Sequence, residues 1–289
     1  MQPEKPKLKK VNIQLRGDYS HAHEDMTIDF KWEDFNESDH EMWRFLYKRN
    51  MPIIAGRACK EYLEGIKLLD FDNEDGIPHF DRINEKLGKL TGWQIVCVPG
   101  LVPAEKFFPM IAARKFPMTG FIRQPHEVDY LQEPDVFHEM FGHVTMLANP
   151  IFADYSQAFG EGGLKAMKLG YAEYLEALYW FTIEFGLINT SEGRRIYGAG
   201  ITSSPGESIY SVSEKATHVA YDVKRVMRQK YRIDSFQHHY FVIDSFEQLL
   251  ESTLPDFTPY YEEIAKLPPV EIEALLPEDL VIQRGADSY

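Results

Sequence analysis

The chain has 289 residues, 44% of them hydrophobic, with 19 Phe and 16 Tyr, which is enough apolar surface for one large core and too much for a disordered chain. A formal net charge of −14 speaks against nucleic acid as a main partner, because a phosphate-binding face needs a basic excess. Cys59 and Cys97 stand far apart and fit a reducing cytoplasm better than a disulfide framework, and no run approaches the roughly 20 apolar residues of a membrane span.

Residues 1–30 are polar and weakly periodic, and read as a partly disordered arm lying on one domain that spans 31–289. Four lysines among the first ten residues precede no apolar core, so this is not a secretory signal. Ser38-Asp-His-Glu41 is a capping box that predicts a helix to about 50, ahead of Pro52. Helices follow over 56–69, with Tyr62, Ile66 and Leu69 on one stripe, and over 80–90. Trp93 to Val98 reads as a short strand ended by Pro99-Gly100, 103–113 as a helix with proline in its first turn, and 121–123 as another short strand. Three consecutive helices are predicted over 134–148, 150–169 and 171–186, with Pro134 and Pro150 marking starts and Gly170 and Gly186 marking ends. Glycines and Pro205 make 196–212 loop and short strand. A helix is expected over 218–229, a strand over 240–243, a last helix over 244–250, and a proline-rich tail packed as an irregular strap. The fold class is mainly α with a few short β-strands, too short for a large sheet, in a single domain without internal repeats.

His138 and His143 lie five apart in Phe137-His-Glu-Met-Phe-Gly-His143. A regular α-helix would set them about 140° apart, whereas the zinc-peptidase pair His-Glu-x-x-His, spaced by four, is about 40° apart. The pair converges only if the helix is distorted at its end or edge, which Gly142 would ease. Glu184 lies in Ala177-Leu-Tyr-Trp-Phe-Thr-Ile-Glu-Phe-Gly186 with apolar neighbours and no Lys or Arg within a turn. A buried carboxylate in such surroundings needs a cation or a strong hydrogen-bond partner. Two neutral imidazoles and a carboxylate on one face suit a divalent metal with open positions, as in non-heme Fe(II) that activates O2. The spacing does not choose iron over zinc, and for the histidine pair alone two core histidines bonded to carbonyls are the plainer reading.

Several segments, in order, resemble the pterin-dependent aromatic amino acid hydroxylases, and among them the short bacterial members that act on phenylalanine. They are Arg123, Glu133-Pro-Asp-Val-Phe-His-Glu-Met-Phe-Gly-His143, Phe152-Ala-Asp-Tyr-Ser-Gln157, Tyr179-Trp-Phe-Thr-Ile-Glu-Phe-Gly186 and Tyr197-Gly-Ala-Gly-Ile-Thr-Ser-Ser204. The resemblance implies that 31–289 is the family's catalytic domain, with no regulatory or tetramerisation domain. It implies His138, His143 and Glu184 as Fe(II) ligands, and Arg123, oriented by Asp135, as a bidentate clamp on the substrate carboxylate. Gly200 and Ser203 would lie near the amino acid backbone, and Pro134, Trp180 and Phe185 would wall its ring. A tetrahydropterin, either tetrahydrobiopterin or a bacterial analogue, would stack on Phe107. Backbone groups of Gly100, Leu101 and Ala104 would meet its polar edge, with Glu139 and Tyr179 close by. Leu131 stands where some relatives carry a threonine, which removes one polar substrate contact. The implied reaction is 4-hydroxylation of L-phenylalanine to L-tyrosine with O2, with phenylalanine catabolism as the usual purpose and supply of tyrosine for a pigment as the other, in a cytoplasmic monomer or weak dimer. Tyrosine or tryptophan as substrate is the alternative within the family, with Trp180 narrowing the pocket against tryptophan. Outside it stands a zinc hydrolase with Glu139 as general base.

Overall fold

Asn36 opens the first long helix of the computed structural model, which describes residues 16–72, 75–129, 131, 133–233 and 235–286. Its side-chain oxygen accepts the N–H groups of Ser38 and Asp39, while Asp39 reaches back to the Asn36 N–H. The capping box therefore starts at Asn36, not Ser38, and α1 (Glu37–Ile54) continues through Pro52. In the last turn a proline removes only one bond from the helical ladder. The disorder expected of the arm falls partly on residues 1–15, which lie outside the described residues. Beyond them, the Arg16 and Gly17 N–H groups donate to the buried Glu133 carboxylate.

α2 begins at Lys60 and not at 56 (Lys60–Leu68), and it turns Tyr62 and Ile66 inward with Leu69 just past its end. α3 (Phe80–Leu90), β1 (Gln94–Val98) and α4 (Ala104–Ala112) stand where the sequence puts them. β1 pairs in parallel with β2 (Lys115–Thr119), a strand that Pro117 conceals from sequence reading. In a sheet of two strands both are edges, where proline is tolerated. The strand expected over 121–123 does not form, because the Arg123 N–H is bonded to the Asp135 carboxylate.

The long helical stretch breaks into a π turn, His138–Val144, continuing as α5 (Thr145–Leu147). Then come α6 (Pro150–Leu169), closed by Gly170 at φ 78°, and α7 (Ala172–Tyr179), which runs into a second π turn, Trp180–Glu184. β3 (Leu187–Thr190) and β4 (Gly193–Ile196) come next, and the stretch over 196–212 expected as loop and short strand holds two short helices instead, α8 (Ala199–Thr202) and α9 (Pro205–Tyr210). Ser204 caps α9 through the Glu207 N–H, with Pro205 at its first position. The helix expected over 218–229 is instead β5 (Thr217–Ala220) followed by the short α10 (Val223–Met227). β-branched Thr217 and Val219 are fully buried there against β6 (His239–Ile243), an environment that favours strand. α11 (Phe246–Glu251), α12 (Thr258–Ile264) and β7 (Val281–Gln283) complete the chain. The tail is thus more than a strap: β7 adds antiparallel to β5, and the short strands do build a five-stranded sheet, β4-β3-β6-β5-β7.

The main core lies around the first π turn. Trp43 of α1 meets Phe137 edge-on at 5.2 Å, and Phe137 stacks on Phe141 at 4.8 Å. All three are essentially fully buried, each contributing about 1.5–3 kcal/mol of apolar burial or more. Among the described residues no helix is long and apolar enough to cross a membrane.

Candidate metal centre

The spacing of five between His138 and His143 is accommodated by the backbone. Over His138–Val144 the hydrogen bonds close from i to i+5, and the Thr145 N–H reaches Met140 O. In that register residues five apart fall on one face, so both imidazoles project the same way from a regular π turn. Gly142 serves close packing: a Cβ there would stand 3.0 Å from both the Cβ and the carbonyl oxygen of Ala199 in α8. Glu184 ends the second π turn, where the Phe185 N–H bonds Trp180 O.

The two turns bring three donors together. His138 Nε2 and His143 Nε2 are 3.1 Å apart, and the Glu184 carboxylate lies 3.1 Å from His143 Nε2 and 3.7 Å from His138 Nε2. All three ligand atoms fall within 4.8 Å of one another. Two imidazole nitrogens held against each other beside a carboxylate need a cation between them, and an N2O set with an open side fits a divalent metal such as iron. Burial holds His143 below its ordinary pKa, opposed by Glu184, so its lone pair is free at neutral pH. Burial raises the Glu184 carboxyl, but the two histidines outweigh it and keep the group ionised.

Ser203 fixes the tautomer of His138. Its hydroxyl donates to Ala199 O at 2.8 Å, so the oxygen accepts from His138 Nδ1 at 2.8 Å. Nε2 then carries the lone pair and faces the other donors. This contact sets Ser203 against His138, and the family resemblance implies a place for it beside the substrate backbone. Gly200 is one turn away, and a Cβ on it would stand 2.8 Å from the Phe185 ring and 3.1 Å from Glu184 Oε2.

Asp135 joins the expected clamp to this centre. Its fully buried carboxylate accepts Arg123 Nε and Nη2, each at 2.9 Å, the Arg123 N–H at 2.8 Å and the His138 N–H at 3.0 Å. Burial pushes the Asp135 carboxyl up, and Arg123 with the two N–H groups pulls it down further, so it stays ionised. Trp180 and Phe185 pack at 4.7 Å between centroids. Pro134, next to Asp135, accepts the Thr119 hydroxyl through its carbonyl at 3.2 Å.

The pterin candidates form a second group. Phe107, on the helix that Ala104 begins, meets Tyr179 edge-on at 5.6 Å, and Tyr179 lies 6.1 Å from the His143 ring. Gly100 and Leu101 are on the loop that leads into that helix. The Leu101 N–H already donates to Glu133 Oε1 at 3.1 Å, an oxygen that also accepts Tyr19 OH at 2.9 Å, and the Leu101 carbonyl stands 3.4 Å from that hydroxyl. Glu139 is turned towards β2, where it accepts the Thr119 N–H at 2.5 Å and stands 3.1 Å from the Thr119 hydroxyl oxygen. Burial nevertheless raises its carboxyl well above the usual range, against the bonds from Thr119. Thr119, Glu133 and Tyr231, which stacks on Trp180 at 4.5 Å, were not anticipated. Glu133 stands beside Pro134 in a motif already singled out. Thr119 and Tyr231 have no local signal, because their partners are remote in sequence.

A family model for biopterin-dependent aromatic amino acid hydroxylases matches residues 9–268. The chain is 51% identical to the phenylalanine-4-hydroxylase of Caulobacter vibrioides over 269 residues, covering 93% of this chain and 91% of that one. It is 50% identical to the Chromobacterium violaceum phenylalanine-4-hydroxylase over 267 residues, covering 92% and 90%. A crystal structure of the Chromobacterium violaceum enzyme with iron and phenylalanine bound superposes with a TM-score of 0.85 at 49% identity, covering 91% of this chain and 96% of that one.

Proposed function

This chain belongs to the biopterin-dependent aromatic amino acid hydroxylases, and from that premise we infer that it converts L-phenylalanine to L-tyrosine with O2, a tetrahydropterin and Fe(II). The observation that carries this is the meeting of His138 Nε2, His143 Nε2 and the Glu184 carboxylate within 4.8 Å, in a chain about half identical to phenylalanine-4-hydroxylases over nearly its whole length. Residues 31–289 act as one catalytic domain, a reading supported by the single family match over 9–268. A cytoplasmic setting is supported by the two free cysteines.

His138, His143 and Glu184 hold the iron, and Ser203 keeps the His138 proton on Nδ1. Iron so held supplies the activation of O2, with the tetrahydropterin as electron donor. Arg123 takes the substrate α-carboxylate through the donors that Asp135 leaves free. Because Asp135 also bonds the His138 backbone, clamp and metal ligand share one rigid anchor, which sets the distance between carboxylate and reacting ring. Trp180, Phe185 and Pro134 wall the ring and exclude water, and Gly200 leaves room beside Glu184. Phe107 offers its face to the pterin, with Tyr179 between it and His143 and Glu139 on the β2 side. The preference for phenylalanine over tyrosine or tryptophan is supported by the relatives' activity.

The test loads purified protein anaerobically with Fe(II) and follows tyrosine formation from phenylalanine with tetrahydropterin added or omitted. Tyrosine is expected only with the pterin. Glu184→Gln, which keeps the shape but not the charge, is expected to lose iron and at least about a hundredfold in rate, with an unchanged circular dichroism spectrum. Full activity in that variant, or none in the parent, would sink the assignment.

A further inference from the structure

A π turn adds one residue to a helical ladder, so where ordinary register resumes one carbonyl lacks a backbone donor. At the end of the first π turn the Thr145 N–H is taken by Met140 O, and Phe141 O is the next carbonyl along. Two buried hydroxyls meet it. Tyr62 OH donates from α2 at 2.5 Å, and Thr145 Oγ1 donates at 2.9 Å while standing 3.2 Å from Met140 O. Three residues beyond Tyr62, Gly65 lets α2 approach so closely that a Cβ there would stand 2.2 Å from Thr145 O.

The second π turn carries the same two residue types. Thr182 Oγ1 donates to Leu178 O at 2.5 Å, a back-bond of the kind that bends helices. With its proton committed there, Thr182 accepts from Tyr155 OH at 2.8 Å. Tyr155 and Thr182 are both fully buried.

We propose that the pairs Tyr62–Thr145 and Tyr155–Thr182 are positioning residues, whose hydroxyls hold the π register on which convergence of the three metal donors depends. If the first turn relaxed to α register, His138 and His143 would face about 140° apart and could not share an ion. The proposal rests on the metal reading above.

The experiment measures Co(II) affinity by chelator competition, and the visible absorption spectrum of the bound Co(II), on the full chain. Tyr62→Phe and Thr145→Val are expected to weaken Co(II) binding by about 10–100-fold and to shift the spectrum. Thr145→Ser restores the hydroxyl and should restore both. Tyr240→Phe removes an equally buried tyrosine hydroxyl, one that is bonded to Glu207 and not to a π turn, and should change neither. Parental affinity and spectrum in both Tyr62→Phe and Thr145→Val overturn the proposal, as does equal weakening in Tyr240→Phe, which would reduce the effect to general stability. If Tyr62→Phe does not fold, the contrast between Thr145→Val and Thr145→Ser decides. A parent chain that takes up no Co(II) removes the metal reading itself, and this proposal with it.

Discussion

Arg123 presents two faces of one guanidinium. Nε and Nη2 are fixed on Asp135 at 2.9 Å each, and among the described residues Nη1 has only a long contact of 3.4 Å to Val128 O. The Nη1 side is therefore the one available to a carboxylate arriving from the pocket. Replacing Arg123 by alanine is a poor probe, since it leaves the fully buried Asp135 without its counter-charge, a change that costs about 3–5 kcal/mol of stability. Arg123→Lys keeps the charge but has no second face. It is expected to raise KM for phenylalanine roughly tenfold or more, as loss of a charge-assisted hydrogen bond predicts, with a smaller change in kcat. Steady-state kinetics with phenylalanine varied would check this, and an unmoved KM would dispose of the clamp.

At the scale of elements, the metal centre depends on how closely α2 and α8 approach the helix they brace. Gly65→Ala forces a Cβ against backbone, 2.2 Å from Thr145 O, where no side chain can swing aside. A loss of about 1–3 kcal/mol is expected from such overpacking, read as a lower urea midpoint with an unchanged slope; a midpoint equal to the parent's would show that α2 has slack. Contacts of this kind explain what the sequence did and did not disclose. α3 and α6 were legible because apolar periodicity, Pro150 and Gly170 are local signals. The three donors were legible as chemistry, but the spacing of five between the two histidines looked like a defect, because hydrophobic periodicity does not separate a π turn from an α-helix. β2 was hidden by Pro117, and β5 passed for helix because its strand character comes from burial beside β6. Tyr62 read as one more core residue on an apolar stripe. Its partner, Phe141 O, is 79 positions away, and nothing local to either residue records the bond.

Buried groups outside the donor set make the stability of the whole molecule depend on pH. Glu207 links α9 to β6 and to the segment before it, accepting the Gln237 N–H at 3.0 Å and Tyr240 OH at 2.8 Å. Burial pushes its carboxyl up to about 7, against those two bonds. In the unfolded chain the group titrates near about 4.3, so between these values the native state keeps a proton that the unfolded state has lost. Its contribution is fully present below that unfolded value and disappears as pH rises through about 7. His218 and His239, on the paired strands β5 and β6, act in the other direction: burial pushes each down to about 4, so stability falls as pH drops from about 6.5 towards that value. Glu207→Gln keeps the accepting oxygen and removes the ionisation. It is expected to match the parent at about pH 3, where the carboxyl is protonated in both states. At pH 8 it should be more stable by a few kcal/mol, because each tenfold difference in proton affinity between the two states is worth about 1.4 kcal/mol. Urea midpoints at the two pH values test this. The same gain at both would mean that packing, and not charge, separates the variant from the parent. A gain confined to the alkaline side would leave the two histidines without an opposing group, and would move the variant's stability optimum upward in pH.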